Sequence, residues 1–169
     1  MAPKPKLAII AGGGDLPRLL IAACRDEGRP FFVIALQGHA DPATVTPDLP
    51  HLWVRLGAGG TILKALKDES CPEIVMAGRV KRPSLLSLMP DAWTAKFLLS
   101  LGRRGVGDNG LLSAIGEVIE REGGRLVGPD QILPDLLAPE GQIGRRAPEA
   151  SDWADIERGL VVARALGAV

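Results

Sequence analysis

The sequence has few aromatic residues and no excess of charge of either sign. Its 169 residues include three Trp, three Phe and no Tyr, and 20 basic side chains balance 20 acidic ones. General nucleic-acid binding needs a basic surface, and single-stranded nucleic acid is usually held by stacked aromatic rings. The composition therefore predicts no nucleic-acid partner, although it leaves room for a local basic pocket.

Cysteine and long apolar runs are also scarce. Cys24 and Cys71 are the two cysteines and no CxxC motif is present, so neither a zinc site nor a redox motif is indicated. No apolar run reaches the roughly 20 residues needed to span a membrane. The first residues lack the apolar region of a signal peptide. We therefore expect a cytoplasmic globular protein, as the 46% hydrophobic and 24% charged content also indicates.

A short apolar run followed by three glycines is the first stretch that suggests chemistry. Residues 7–11 are too few for a helix and predict a strand buried on both faces, as in parallel sheets. The glycines at 12–14 end it, Asp15 is placed to cap a helix over residues 16–27, and Pro17 suits its first turn. Glycines beside free helix N–H groups can form an anion seat. A tight turn without a ligand is the alternative.

Alternating apolar runs and helical patterns predict an α/β fold. We expect a three-layer domain with a mostly parallel sheet over residues 1–138. Residues 139–150 are rich in proline, glycine and charge and predict a linker, and residues 151–169 predict a helix leading to a C-terminal domain absent from this chain. Further strands are predicted over residues 30–36, 51–56, 73–77 and 125–127, and further helices over residues 61–69, 91–102 and 108–122.

A basic segment follows the strand predicted at residues 73–77. Gly78 precedes three cations within four residues, which are Arg79, Lys81 and Arg82. Ligands of open α/β sheets lie beyond the carboxyl ends of the strands, so this position favours an anionic ligand over a merely solvated basic loop. We assign the phosphate contact to Arg82, because the proline after it restricts its backbone, and expect Lys81 to point away.

The first loop departs from the dinucleotide-binding fingerprint. Pro17 stands where GxGxxG requires a glycine, and the second strand lacks an acidic residue at its end, since Asp41 comes late and precedes Pro42. We therefore expect no NAD. His39 and His51 are isolated from other metal-ligand types and are interpreted as surface or hydrogen-bonded histidines.

Five segments of the chain carry a resemblance to a known family, at residues 9–17, 77–83, 88–91, 107–112 and 153–166. Together they resemble the N-terminal half of the LpxI-type UDP-2,3-diacylglucosamine hydrolases. The resemblance implies cleavage of the pyrophosphate of UDP-2,3-diacylglucosamine, assisted by magnesium or manganese, to UMP and lipid X in lipid A biosynthesis. It also implies a Rossmann-like first domain and a separate second domain, with the ligand between them.

The resemblance and the residue patterns together define a candidate substrate site. Asp108 either caps its helix or orients a hydroxyl or a metal-bound water, and Asn109 stands where the family commonly has a second acidic residue. The predicted substrate-binding residues are Gly12, Gly13, Gly14, Leu16, Pro17, Gly78, Arg79, Arg82, Asp108 and Asn109.

No catalytic residue is assigned in this chain. The essential aspartate of the family lies in the second domain, so we expect the 169-residue chain to be inactive by itself. Because the implied substrate is a lipid, peripheral contact with the inner membrane is a further expectation. Self-association of the chain is left open. The alternatives are a non-catalytic module that binds a nucleotide-sugar or a partner protein, and, further off, an NAD-dependent oxidoreductase.

Overall fold

A five-stranded parallel sheet forms the centre of the computed structural model, which describes residues 4–81, 88–101 and 108–167. The strands lie in the order β3-β2-β1-β4-β5, and each neighbouring pair is parallel. This confirms the expected α/β, Rossmann-like fold. The strands are β1 (Leu7–Ala11), β2 (Phe31–Leu36), β3 (His51–Val54), β4 (Glu73–Ala77) and β5 (Arg125–Leu126).

Helices cover both faces of the sheet and make the domain three-layered. Helix α1 buries Leu20, Ile21 and Cys24 on one face, and α2 and α4 pack on the other through Leu66 and Ile119. The helices are α1 (Leu16–Asp26), α2 (Gly59–Asp68), α3 (Ala92–Leu101), α4 (Asp108–Arg121) and α5 (Trp153–Gly167), with short 3-10 turns at Pro129–Gln131 and Pro134–Leu136.

Strand β1 is the central strand and is buried on both faces. Leu7 and Ile9 point into the cluster beneath α1, whereas Ala8 points into the cluster beneath α2 and α4. All three residues are fully buried. An unbroken apolar run is therefore what this position requires, because neither face of the strand meets water.

An ion cluster at the amino ends of the strands joins three parts of the chain through Glu73, with Arg29 buried and Arg125 exposed. Arg29, 7% exposed, donates from Nε to the carbonyl of Pro5 at 3.0 Å and from Nη2 to the carboxylate of Glu73. Arg125 donates to the other Glu73 oxygen. Burial raises the pKa of Glu73, but hydrogen bonds from Arg125 and Arg29 outweigh it, so the pKa lies below its ordinary value.

The chain divides into two units, Met1–Leu136 and Leu137–Val169. The first contains the sheet. The second contains α5, whose Val161 and Leu166 side chains are largely exposed. Within the described ranges, no helix combines the length and apolarity that a membrane span requires.

Candidate functional site

The order of the strands reverses between β1 and β4. From β1 the chain adds β2 and β3 on one side, while β4 and β5 lie on the other side. In open α/β sheets the crevice at such a switch point, beyond the carboxyl ends of the strands, is where ligands bind. The segments at residues 12–14 and 78–81 both begin at this crevice, so the two stretches selected from the sequence meet there.

These two segments are hydrogen-bonded to each other across the switch point. The N–H of Gly13 donates to the carbonyl of Arg79 at 2.9 Å, and the N–H of Arg79 donates to the carbonyl of Gly13 at 2.7 Å. The N–H of Gly12 donates to the carbonyl of Ala77 at 2.8 Å. The loops after β1 and β4 therefore form one antiparallel bridge, which we call the loop bridge.

Close packing of the loop bridge accounts for three of its glycines. A Cβ on Gly12 would lie 2.7 Å from the carbonyl oxygen of Arg79, and one on Gly13 would lie 2.9 Å from that of His39. Gly78 has a φ of +92°, and a Cβ there would lie 2.6 Å from the carbonyl oxygen of Gly13. These glycines are explained by approach of backbone to backbone.

Gly14 differs, because the space around it is open. It is exposed and has a φ of +94°, and its absent Cβ would lie 3.8 Å from Nε of Arg79 and 3.9 Å from Nη2. The guanidinium of Arg79 thus stands beside the start of α1. Among the described residues, none accepts a hydrogen bond from the N–H groups of Gly14, Asp15 or Leu16. Open N–H groups at a helix N-terminus beside a guanidinium suit an anion.

The prediction that Asp15 caps α1 with its side chain was wrong. Asp15 already has helical dihedral angles, φ −79° and ψ −23°, and makes no side-chain capping hydrogen bond. A capping residue needs an extended backbone for its side chain to reach back to the first turn. The carboxylate of Asp15 instead lies 3.7 Å from Nη2 of Arg18, at the surface. The first-turn N–H groups are left uncapped as a result.

The other predicted site residues fall into three groups. Pro17 is fully buried and Leu16 packs against the core beneath α1. Both residues therefore attach the first turn of α1 to the core. Asp108 and Asn109 begin α4, at the residue expected, but their side chains lie outside the described part. Arg82 also lies outside the described residues, and its phosphate contact stays a prediction.

His39 is hydrogen-bonded, as one of its two interpretations expected, and it also lies beside the loop bridge, which was not predicted. It follows β2, and its Nδ1 accepts a hydrogen bond from the N–H of Lys81 at 3.3 Å. Its carbonyl oxygen is the one that excludes a Cβ on Gly13. The available signal was its position, just after a strand beside β1, at the edge where ligands of such sheets lie.

A second glycine segment, at the start of α2, makes its hydrogen bonds to other groups of the chain. The N–H of Gly59 donates to Oγ1 of Thr94 at 2.8 Å, and that of Gly60 donates to Oδ2 of Asp91 at 2.9 Å. Oδ1 of Asp91 also accepts from the N–H of Thr94, at 2.7 Å, and so caps α3 as expected. One carboxylate thus serves two helix N-termini. This segment is therefore a connection between elements.

Replacing Asp91 by Ala should destabilise the domain by about 2–3 kcal/mol, because two helix N-termini lose one charged acceptor. Burial raises the pKa of Asp91, but hydrogen bonds from Thr94, Gly60 and Thr61 lower it by more. The pKa therefore lies below its ordinary value, and the carboxylate is ionised at neutral pH. Urea unfolding followed by circular dichroism measures the loss. Asp91→Asn keeps one acceptor oxygen and should lose less. A loss under about 0.5 kcal/mol for Asp91→Ala would contradict the shared cap.

An apolar cavity of about 330 Å³ lies elsewhere, between α2 and α4 at the amino ends of the strands. Leu63, Ile74 and Ile119 line it, and Lys67 and Glu122, which pair at 2.5 Å, stand at its border. The loop bridge lies at the opposite, carboxyl ends of the strands. We therefore do not connect the cavity with the candidate site.

The described side chains do not by themselves form a site for a divalent cation. Among them, and they do not include those of Asp108 and Asn109, no three His, Cys, Asp or Glu groups converge as metal ligands would. Magnesium or manganese, which the family resemblance implies, therefore stays a prediction.

Comparison with known proteins shows the family of this chain. Residues 6–136 match the model of the LpxI N-terminal domain. The chain belongs to the LpxI family. It is 39% identical over 165 residues to the UDP-2,3-diacylglucosamine pyrophosphatase LpxI of Caulobacter vibrioides. That alignment covers 96% of this chain and 58% of the relative, so the chain spans little more than half of the LpxI protein that it matches.

Solved structures with a similar backbone are distant in sequence. The Bordetella bronchiseptica enzyme WbmG in complex with NAD aligns at a TM-score of 0.49 and 15% identity, over 75% of this chain and 37% of that chain. Its complex with NAD and UDP aligns at 0.47 and 16% identity, over 72% and 36%. Likeness of this degree carries no information about ligands.

Proposed function

We propose that this chain is the ligand-binding half of a UDP-2,3-diacylglucosamine hydrolase and that the crevice beside the loop bridge receives the phosphate groups of that substrate. One observation carries the proposal. In a chain of the LpxI family, the uncapped first turn of α1 and the guanidinium of Arg79 lie together at the switch point of the sheet. The relative from Caulobacter vibrioides is named for the same substrate.

The electrostatics of the crevice favour a pyrophosphate. The N-terminus of α1 carries a partial positive charge, and its first turn from Leu16 contains no acidic side chain. The carboxylate of Asp15, just before that turn, lies 3.7 Å from Nη2 of Arg18, which offsets its charge. The Arg79 guanidinium is planar and presents several N–H donors, which bind phosphate oxygens in pairs. Because Gly14 has no side chain and is exposed, an oxygen can approach its N–H directly.

Hydrolysis requires attack of a water oxygen on one phosphorus and cleavage of the bridging P–O bond, which releases UMP and lipid X. The groups described here bind and orient the phosphates and offset their charge. No pair of nucleophile and general base is assigned among them. The proposal therefore leaves activation of water, and any magnesium or manganese that assists it, to residues beyond those described. Because the family resemblance places the essential aspartate in a second domain, we propose that the 169-residue chain is inactive by itself. A cytoplasmic location, with peripheral contact to the membrane that holds the lipid substrate, belongs to the same proposal.

Arg79→Ala should weaken the binding of UDP by about ten- to a hundredfold, because a charge-assisted contact to phosphate contributes about 1.5–3 kcal/mol. Titration calorimetry of the 169-residue chain with UDP measures this. Arg25→Ala is the matched control, since Arg25 pairs with Asp48 at the surface near the end of α1 and should change the affinity less than twofold. Absence of UDP binding at millimolar concentration, or equal affinities of Arg79→Ala and the unmodified chain, would contradict the proposed site.

A binding module without hydrolytic activity is the second candidate, since no catalytic pair is assigned among the described residues. It shares the predicted UDP site and differs only in turnover. A chain extended to the full length of its LpxI relative, incubated with UDP-2,3-diacylglucosamine and magnesium or manganese, separates the two. Release of UMP supports the hydrolase, and tight binding without release supports the module. Neither candidate uses NAD, and tight NADH binding in a fluorescence titration would argue against both.

A further inference from the structure

His39 lies where it can join both halves of the candidate site. The turn that contains it is fixed, because the N–H groups of His39 and Ala40 both donate to the carbonyl of Leu36, at 3.0 and 2.9 Å. Its own carbonyl packs against Gly13 in the loop after β1. Its side chain contacts the loop after β4 through the hydrogen bond from the N–H of Lys81. One residue after β2 thus contacts the loops after β1 and β4.

The hydrogen bond from Lys81 determines which tautomer of His39 is present. A backbone N–H can only donate, so Nδ1 must be unprotonated to accept it, and the neutral ring then carries its proton on Nε2. His51 shows the reverse arrangement. Its Nδ1 lies 2.8 Å from the carbonyl of Leu49, which can only accept, so Nδ1 of His51 is protonated.

This bond fixes the far end of the segment at residues 78–81. Arg79 is held by the loop bridge through its own N–H and carbonyl, and Lys81, two residues later, is held by His39. The segment that carries the Arg79 guanidinium is therefore held at two points. Loss of the His39 contact would leave it held at Arg79 alone.

We propose that His39, as its Nε2–H tautomer, is a positioning residue of the phosphate site that holds the segment at residues 78–81 in place through Nδ1. Only the effect on ligand affinity rests on the proposed function. The tautomer and the anchoring of Lys81 are properties of the chain without a ligand. His39 acts through Arg79 and is not assigned a contact with substrate.

Two substitutions separate this role from simple packing. In His39→Asn, Oδ1 stands at the same distance along the side chain as Nδ1 and can accept the Lys81 N–H. In His39→Gln, the oxygen stands where Nε2 was, so the acceptor is displaced. We expect hydrogen exchange of the Lys81 amide to become about tenfold faster in His39→Gln and to change less than threefold in His39→Asn. UDP affinity should fall about two- to tenfold in His39→Gln and less than twofold in His39→Asn.

Nitrogen-15 NMR of the imidazoles tests the tautomer directly, with His51 as an internal reference of the opposite type. An unprotonated Nδ1 at His39 supports the proposal, and a protonated one overturns it. Equal Lys81 exchange in the Asn and Gln variants also overturns it, whereas His51→Gln should leave that exchange unchanged. If the unmodified chain does not bind UDP, the proposed function fails, while the NMR and exchange results still decide the role of His39.

Discussion

Replacing Glu73 by Ala is expected to destabilise the folded domain by about 3–5 kcal/mol, the usual effect of breaking a buried ion pair from one side. Arg29 would stay buried with only the Pro5 carbonyl as acceptor, and Arg125 would lose its only ion-pair partner among the described residues. The guanidinium of Arg29 cannot give up its proton to avoid this cost. Urea unfolding of the two proteins at neutral pH measures the difference.

Glu122→Ala is the matched control, since Glu122 pairs with Lys67 and both side chains are largely exposed. It should cost about 0–1 kcal/mol. Acid titration adds a second test. The pKa of Glu73 in the folded protein lies below its unfolded value of about 4.3. The ionised carboxylate therefore contributes fully to the free energy of unfolding above about pH 4.3, and this contribution is lost as the pH falls through the folded pKa. Glu73→Gln should flatten the stability curve in that acid range. Equal losses for the Glu73 and Glu122 variants would contradict the ion cluster.

Gly78→Ala is expected to lower the free energy of unfolding by about 2–5 kcal/mol, because alanine is strained in a left-handed backbone and because its Cβ overpacks the site. The new Cβ would lie 2.6 Å from the carbonyl oxygen of Gly13, which is one acceptor of the loop bridge. The bridge must therefore open or the strands must shift. Thermal and urea unfolding give the loss of stability, and calorimetry with UDP should show weaker binding, because Arg79 moves with the bridge.

Gly28→Ala separates the two contributions to this loss. Gly28 also has a positive φ, +63°, but a Cβ there would meet no atom within 4 Å. Gly28→Ala should therefore lower the free energy of unfolding only by the energy of placing alanine in a left-handed backbone, about 1–2 kcal/mol. If the two alanine variants lose equal stability, the close approach between Gly78 and Gly13 is not a feature of the folded protein.

Local sequence was sufficient to predict the strands that form the centre of the fold. The limits of β1 and β4 agree with the predicted residues 7–11 and 73–77, because an unbroken apolar run bounded by glycine, proline or charge has few other uses. The edge strand β3 ends at Val54, earlier than the predicted residue 56. Strand β2 begins at Phe31, although the preceding Pro30 carbonyl still accepts from Leu7 at 3.0 Å.

Features that depend on contacts between distant residues could not be read from the sequence. Helix α2 begins at Gly59, two residues before the predicted start, because Thr94 and Asp91 supply acceptors from more than 30 positions away. The same limit applied to the site. Glycines and cations predicted a crevice for an anion, but pairing of the loops after β1 and β4, and the contact between His39 and Lys81, involve three separate loops. Asp15 was misassigned because its backbone angles cannot be known from residue type.

The loop bridge also bears on the thermodynamics of ligand capture. A loop that is mobile before binding loses conformational entropy when it closes on a ligand, and that loss is subtracted from the affinity. Here the Gly13 and Arg79 backbones are already immobilised by their mutual hydrogen bonds. The entropy of ordering is lost when the chain folds and not when the anion arrives. If the crevice binds phosphate as proposed, association should proceed without a slow closing step, and ligand discrimination should appear mainly in the rate of dissociation.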